Sequence, residues 1–247
     1  DKYMSKDKYY GYWRDSVLRI RGEGAISLQA LFLSDWFFVS KQNLFTPDEV
    51  TRYLRLPAEE IKLLADIPIQ ITASGPDTDH ASIMQAYFLA ISNARRSIRI
   101  SSPYLILNES LLMAFKTAVL SGVKIDVILP GKPDHKIVWY GSRSYFKELL
   151  EVGVNIYDYQ AGFLHAKILI VDDEILSIGT ANMDMRSFNH NFEATAMIYH
   201  PPTVAQALQA FNEDLANSTQ VTLEQLKQKN IFVRSIESIC RLFSPLL

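Results

Sequence analysis

The sequence predicts an α/β sandwich, a mixed β-sheet covered by helices on both faces. Three observations carry that expectation. Short apolar runs of period two alternate with longer stretches of helical period. Ser97 to Leu129 reads strand, helix, strand, a unit that implies parallel pairing. Phe163 to Phe192 reads as two buried strands around a loop. At 247 residues, 48% hydrophobic and 21% charged, the chain can bury a large core.

Taken in order, Trp13-Arg14-Asp15 opens a strand-like run to Ile20, and a helical run then reaches Phe32 and Asp35. Thr46-Pro47-Asp48-Glu49 and Pro57-Ala58-Glu59-Glu60 are helix starts. Each has a proline in the first turn and acids that favour the positive end of the helix dipole, and Thr46 suits a cap. Residues 1–65 thus form one unit ending in a helical connector, and 66–247 a second. The second unit opens with a strand, Ile67 to Ala73, and the turn Ser74-Gly75-Pro76-Asp77. A helix from about Ala81 to Arg95, a strand Ser97 to Ser101, an amphipathic helix Ser110 to Leu120 stopped by Gly122, and a strand Val123 to Leu129 follow. After Pro130-Gly131-Lys132-Pro133 one helix runs from Asp134 to Val152, and a strand Val154 to Tyr159 leads into a strand near the sheet's centre. Asn191-Phe192-Glu193 opens the last long strand, to Tyr199, and the helix after Pro202 reaches Phe211 and Asp214. The Phe-x-x-Asp spacing repeats that of Phe32 and Asp35, an internal echo that puts Asp15 at the position of Glu193.

The chemistry concentrates in the central strand. His165, Lys167 and Asp172 form an HxKxxxxD pattern, followed by Thr180, Asn182 and Glu193. Alternate side chains of a strand share a face, so His165 and Lys167 project together out of the otherwise apolar run Ala166 to Val171. An imidazole beside an ammonium makes an anion site. If Gly179-Thr180-Ala181-Asn182 closes the neighbouring strand in a tight loop, the Thr180 hydroxyl and the Asn182 amide add uncharged donors, and three donor types converge on one phosphate. Glu193 is placed to accept the second ring proton of His165, which fixes the tautomer and raises the basicity of the other nitrogen. Asp172 is the third member of the pattern and equally a strand-end turn residue. Pro103-Tyr104 and Asp134-His135 fall at carboxyl ends of parallel strands, where ligands of such sheets bind. His135 is either a pocket residue or an exposed one next to a capping Asp134.

Composition removes some alternatives. With 25 basic and 27 acidic residues the net charge is −2, so no global positive field recruits nucleic acid. The lone Cys240 has no internal disulfide partner and reads as a core-facing thiol. No run of about 18 apolar residues spans a bilayer. Two segments bear on a membrane surface. Leu28 to Val39, with Phe32, Trp36, Phe37 and Phe38, carries more apolar surface than one helix face needs; it suits a bilayer interface or packing against another unit. In the amphipathic stretch Ile231 to Leu247, Arg234 and Arg241 either meet anionic headgroups or face water.

HAKILIVDD followed by GTANMDMRSFNHNFE resembles the second catalytic motif of the phospholipase D superfamily, and MDMRSF with NFE resembles bacterial cardiolipin synthases in particular. The likeness continues through GYWRDSVLRIRG, SGPD, SPYLILNESLL, GVNIYDYQAGFLHAK and the closing RLFSPLL, so it covers essentially the whole chain. Members of that superfamily carry two HxKxxxxD motifs, one per half, and this chain has one. The resemblance therefore implies a C-terminal fragment: the tail of a first phospholipase D-like half with its connector in 1–65, and one complete second half in 66–247. The missing N-terminal half, bearing the first motif, becomes a partner, and Asp15 would support its histidine. The implied activity is phosphatidyl transfer between two phosphatidylglycerol molecules, giving cardiolipin and glycerol through a phosphohistidine. It implies no metal and no organic cofactor; no nucleic acid is expected as a partner, because the chain has no global positive field. The site would lie at the cytoplasmic face of the cell membrane, anchored upstream, with the anionic phospholipid and the membrane surface as partners. His165, Lys167 and Asp172 take catalytic roles, His165 as acid and base; Thr180, Asn182 and Glu193 bind substrate. The chain alone would be silent. A water-using phospholipase D, a single-motif dimeric nuclease and a lipid-binding module are the alternatives.

Overall fold

A computed structural model of the protein describes residues 9–56, 61 and 67–247. The helix start at Pro57 and the boundary near residue 65 lie outside the described residues. Before the main sheet come β1 (Tyr12–Arg14), α1 (Glu23–Ser40) and α2 (Pro47–Tyr53). The strand expected from Trp13 to Ile20 is only three residues long, because the chain leaves extended pairing where the Asp15 carboxylate accepts the Ser16 N–H. Thr46 precedes α2 in extended conformation, but its side chain makes no capping bond.

The sheet has eight strands, in the order β12-β6-β5-β3-β8-β9-β11-β2. These are β2 (Ile69–Ser74), β3 (Ser97–Ser101), β5 (Lys124–Pro130), β6 (Asn155–Tyr159), β8 (Ile168–Val171), β9 (Ile175–Gly179), β11 (Glu193–Ile198) and β12 (Ser218–Gln220). Strands β3, β5 and β6 are parallel; the other pairings are antiparallel. This register brings functional positions to one edge. Ser101, the end of β3, pairs with Ile168, the start of β8; Ile168 pairs with Ile178 near the end of β9; and Glu193 begins β11 opposite Ser74.

Period-two alternation builds two cores. Ile98, Ile100, Val127, Leu129, Leu169 and Val171 face one layer, made by α3 (Ser82–Ser92), α4 (Glu109–Leu120), α5 (Lys136–Arg143) and α6 (Phe146–Val152). Ile128, Ile168, Ile170 and Ile198 face α8 (Pro201–Ala216), whose Val204 and Phe211 are buried. Burying each such side chain stabilises the fold by about 1.5–3 kcal/mol relative to exposure. Helix α4 starts where Asn108 accepts the Leu111 N–H at 2.8 Å, and α8 starts at two prolines, whose missing N–H groups have no helical partner there anyway.

The single helix expected from Asp134 to Val152 is two. Serine hydroxyls compete for backbone groups at the break: Ser144 donates to the Gly141 carbonyl at 2.6 Å, and Ser142 is occupied by the Leu105 N–H. The remaining elements are β4 (Leu105–Ile106), β7 (Gly162–Leu164), β10 (Met183–Asp184), α7 (Met185–Asn189), α9 (Leu223–Lys227) and α10 (Ile231–Leu242).

Candidate active site

The three-residue strand β1 does more for the site than its length suggests. It pairs in parallel with β7, Trp13 opposite Phe163, and the Arg14 carbonyl accepts the His165 N–H at 2.7 Å. A Cβ on Gly162 would sit 2.0 Å from the Tyr12 carbonyl oxygen, so this close approach requires glycine. The Arg14 guanidinium reaches over to Asp214 of α8 at 2.8 Å, with both side chains largely buried, and clamps β1 from the far side. Trp13 packs against Phe163 with ring centroids 4.6 Å apart and against His165 at 5.2 Å.

This clamp delivers Asp15. Its Oδ2 lies 2.8 Å from His165 Nδ1. Burial pulls the Asp15 carboxyl up, but the His165 hydrogen bond, the Ser16 N–H and the charges of His165 and Lys167 together hold it below the usual carboxylate range. The expectation that Glu193 orients His165 is corrected: Glu193 Oε1 accepts from Asn191 Nδ2 at 3.1 Å, and Asp15 takes the histidine. The expectation that Asp15 serves a histidine outside this chain is corrected by the same contact.

Lys167 is buried, and its ammonium donates to the His165 carbonyl at 2.6 Å. Burial pushes its pKa down to about 8, against the opposing pull of Asp15, Glu193, Asp184 and Asp134. Asp184 caps α7 by accepting the Ser187 N–H at 2.7 Å. Burial pushes its carboxyl up, with hydrogen bonds from Ser187 and Asn182 opposing. The buried Asn182 Oδ1 has no hydrogen-bond partner among the described residues, an acceptor that lacks a donor. The Tyr104 hydroxyl donates to Asp134, and burial together with that carboxylate drives the phenol pKa well up. His135 is exposed, and Asp134 accepts its N–H at 2.7 Å.

Two expected members stand apart. The Thr180 hydroxyl accepts the Ala194 N–H at 3.0 Å, closing the end of β9 onto β11 instead of standing free as a donor. Asp172 lies at the other end of β8, five residues and roughly 16 Å of strand from Lys167. It sits with Asp173 in left-handed conformation in the β8–β9 hairpin, and its carboxylate accepts the N–H groups of Arg95, Arg96 and Ser97. Its place in the catalytic pocket is corrected: those three bonds, with a neighbouring Arg96, hold its carboxyl low against burial at a structural corner. The sequence puts Tyr104 and Asp134 at strand ends where ligands bind, and the structure joins them in a hydrogen-bonded pair, whereas the buried Asp184 is a group to which sequence reasoning gave no role. Asp184 had a local signal, an aspartate directly before the short run Met185-Arg186-Ser187-Phe188, a position that suits an N-cap.

Comparison with known proteins follows the same lines. The family described as "Cardiolipin synthase, PLD-like domain" matches residues 87–215. A cardiolipin synthase of Geobacillus kaustophilus is 47% identical over 249 residues, covering 100% of this chain and 48% of the relative, and cardiolipin synthase 2 of Bacillus anthracis is 44% identical, covering 100% and 47%. The chain spans about half the length of the curated relatives it matches. Among solved structures, a phosphatidylserine synthase of Haemophilus influenzae aligns with TM-score 0.56 at 15% identity, over 72% of this chain and 48% of that one. The phospholipase D family member Nuc of Salmonella typhimurium aligns with TM-score 0.51 at 17% identity, over 63% of this chain and 99% of that one. At these identities the two structures share the fold.

Proposed function

Because the chain belongs to the cardiolipin synthase family of phospholipase D-like domains, we propose that its pocket is one half of a site for phosphatidyl transfer, in which two phosphatidylglycerol molecules yield cardiolipin and glycerol. The observation that carries the proposal is the contact of His165 with Asp15. An ionised Asp15 only accepts, so Nδ1 donates and Nε2 is the nitrogen left to exchange protons. In the first step a histidine of the other half forms a P–N bond as the P–O bond to glycerol breaks, and doubly protonated His165 gives its Nε2 proton to the departing oxygen. In the second, the hydroxyl of another phosphatidylglycerol forms the new P–O bond, its proton passes to His165, and the P–N bond breaks.

Lys167 and Asn182 stabilise the phosphoryl oxygens, and Thr180 holds the loop that presents Asn182. Glu193, at the same edge and not engaged with His165, is assigned the tautomer-setting role toward the incoming histidine. In this reading residues 1–65 are the remainder of a first half and 66–247 the second, and the docking of β1 on β7 supports it. The net charge of −2 offers no global positive field to a polyanion, which favours lipid over nucleic acid. The proposal places the reaction at the cytoplasmic face of the membrane; among the described residues no helix is long and apolar enough to cross one.

The test supplies the full-length protein with labelled phosphatidylglycerol. Label in cardiolipin is the expected result, with His165→Ala lowering turnover by at least ~10²-fold. Label in phosphatidic acid alone would overturn transfer in favour of hydrolysis.

A further inference from the structure

Helix α10 buries charge and exposes hydrocarbon. Of its twelve residues only Glu237 and Cys240 are buried, while Ile231, Phe232, Ile239 and Leu242 are 72%, 73%, 56% and 78% exposed. At 100° per residue those four share the face opposite Glu237 and Cys240, with only Ser235 and Ser238 among them. The orientation is fixed. Lys229 Nζ meets Glu237 Oε1 in a largely buried ion pair, and α10 packs along α5. Beyond the helix, Phe243 and Leu246 extend the apolar surface.

Along one flank of that face, α10 forms a cavity of about 630 Å³ with α6 and α9. Arg143, Lys147, Lys227, Lys229, Arg234 and Arg241 line it, against the acids Glu151 and Glu237. Two further acids, Asp158 and Glu148, pair with Arg143 and Arg241 from outside the lining. Six cations thus stand against four acids in a chain whose net charge is −2. The Arg234 guanidinium donates to the Leu226 and Lys227 carbonyls, and among the described residues neither it nor Lys227 has a carboxylate partner.

We propose that α10 and this groove dock the protein on an anionic lipid bilayer, the apolar face entering the interface and the groove taking headgroup phosphates. The charge selects the occupant. A two-fold contact between copies would set each patch against itself, bringing two cationic grooves together. An apolar face flanked by uncompensated cations is instead the layout of an interfacial helix on anionic lipid. The docking face also stands close to the chemistry: α5 begins beside Asp134 of the catalytic pocket and is about 12 Å long. The inference goes beyond the reaction proposed above and is read without turnover.

The test is cosedimentation of the 247-residue chain with vesicles of equimolar phosphatidylglycerol and phosphatidylcholine, or of phosphatidylcholine alone. Binding at least ~10-fold tighter to the anionic vesicles is expected. Phe232→Ser with Leu242→Ser, both at exposed positions, weakens it by ~30-fold or more, and Lys227→Glu weakens only the anionic component. Hydrogen exchange of the unmodified chain shows α10 amides protected on anionic vesicles, a readout independent of any variant. Equal affinity for both vesicles, binding indifferent to the double substitution, unprotected α10 amides, or a dimer that the double substitution disperses would each overturn the proposal.

Discussion

Asp15→Asn removes the charge that sets the His165 tautomer while keeping the size of the side chain. A hydrogen bond to an ionised partner contributes ~1.5–3 kcal/mol where it is shielded. Here the His165 and Asp15 side chains are 31% and 44% exposed, and water screens part of that, leaving about 1–2 kcal/mol. At 1.36 kcal/mol per decade this corresponds to a loss of roughly 5- to 30-fold. The asparagine amide can also turn its N–H toward Nδ1, which favours the wrong tautomer. The loss should fall on kcat with KM nearly unchanged, since the histidine acts in the transition state. The assay is turnover of phosphatidylglycerol by the full-length protein, paired with ¹⁵N NMR of the His165 ring. Asp15→Asn should move both ring nitrogen resonances, and Glu193→Gln should move neither although it lowers turnover. The opposite pattern, with Glu193→Gln shifting the ring and Asp15→Asn leaving it alone, would refute the reasoning.

Lys167, with its pKa pushed down to about 8, loses its charge as pH rises through that value, so calorimetry should show phosphate or vanadate binding weakening above about pH 8. Between about 8 and 10.5 the unfolded chain holds the extra proton, so folding stability should rise with pH across that window, and Lys167→Met should remove both effects. Asp172→Ala leaves three N–H groups without their acceptor and should cost about 2 kcal/mol, seen as a melting temperature lower by about 4–8 °C, with kcat retained at temperatures where the protein is folded. Turnover by the full-length protein should survive extensive chelation, because lysine and asparagine supply the stabilising donors; loss restored by one divalent ion at the chemical step would overturn that assignment.

The sheet was legible because its strands alternate cleanly: Ile98 and Ile100, or Ile168 and Ile170, each point to a single core. The end of β9 and the start of β11 meeting the His165 edge followed from the same reading. What escaped it was non-local. Three residues of β1 carry too little pattern to say which strand they join, so the partner of Asp15 could not be read from position, and the internal echo sent it to the wrong histidine. The break after Arg143 depends on Ser142 meeting Leu105, a contact across 37 positions that no local periodicity reports. Asp172 was misplaced for a simpler reason: an HxKxxxxD spacing counts residues, whereas an extended strand converts five of them into roughly 16 Å.

The clamp on β1 has a consequence for the order in which the protein matures. Asp15 and His165 are 150 positions apart, so at ordinary rates of synthesis Asp15 leaves the ribosome about 8–30 s before its histidine exists. Throughout that interval Trp13 has no Phe163 to rest against and Tyr12 no Gly162, and Arg14 waits longer still for Asp214. The pocket therefore cannot assemble before the βαβ layer from Ser97 to Tyr159 has all its residues, and the clamp on β1 is complete only once Asp214 has been made, after every strand of the main sheet except β12.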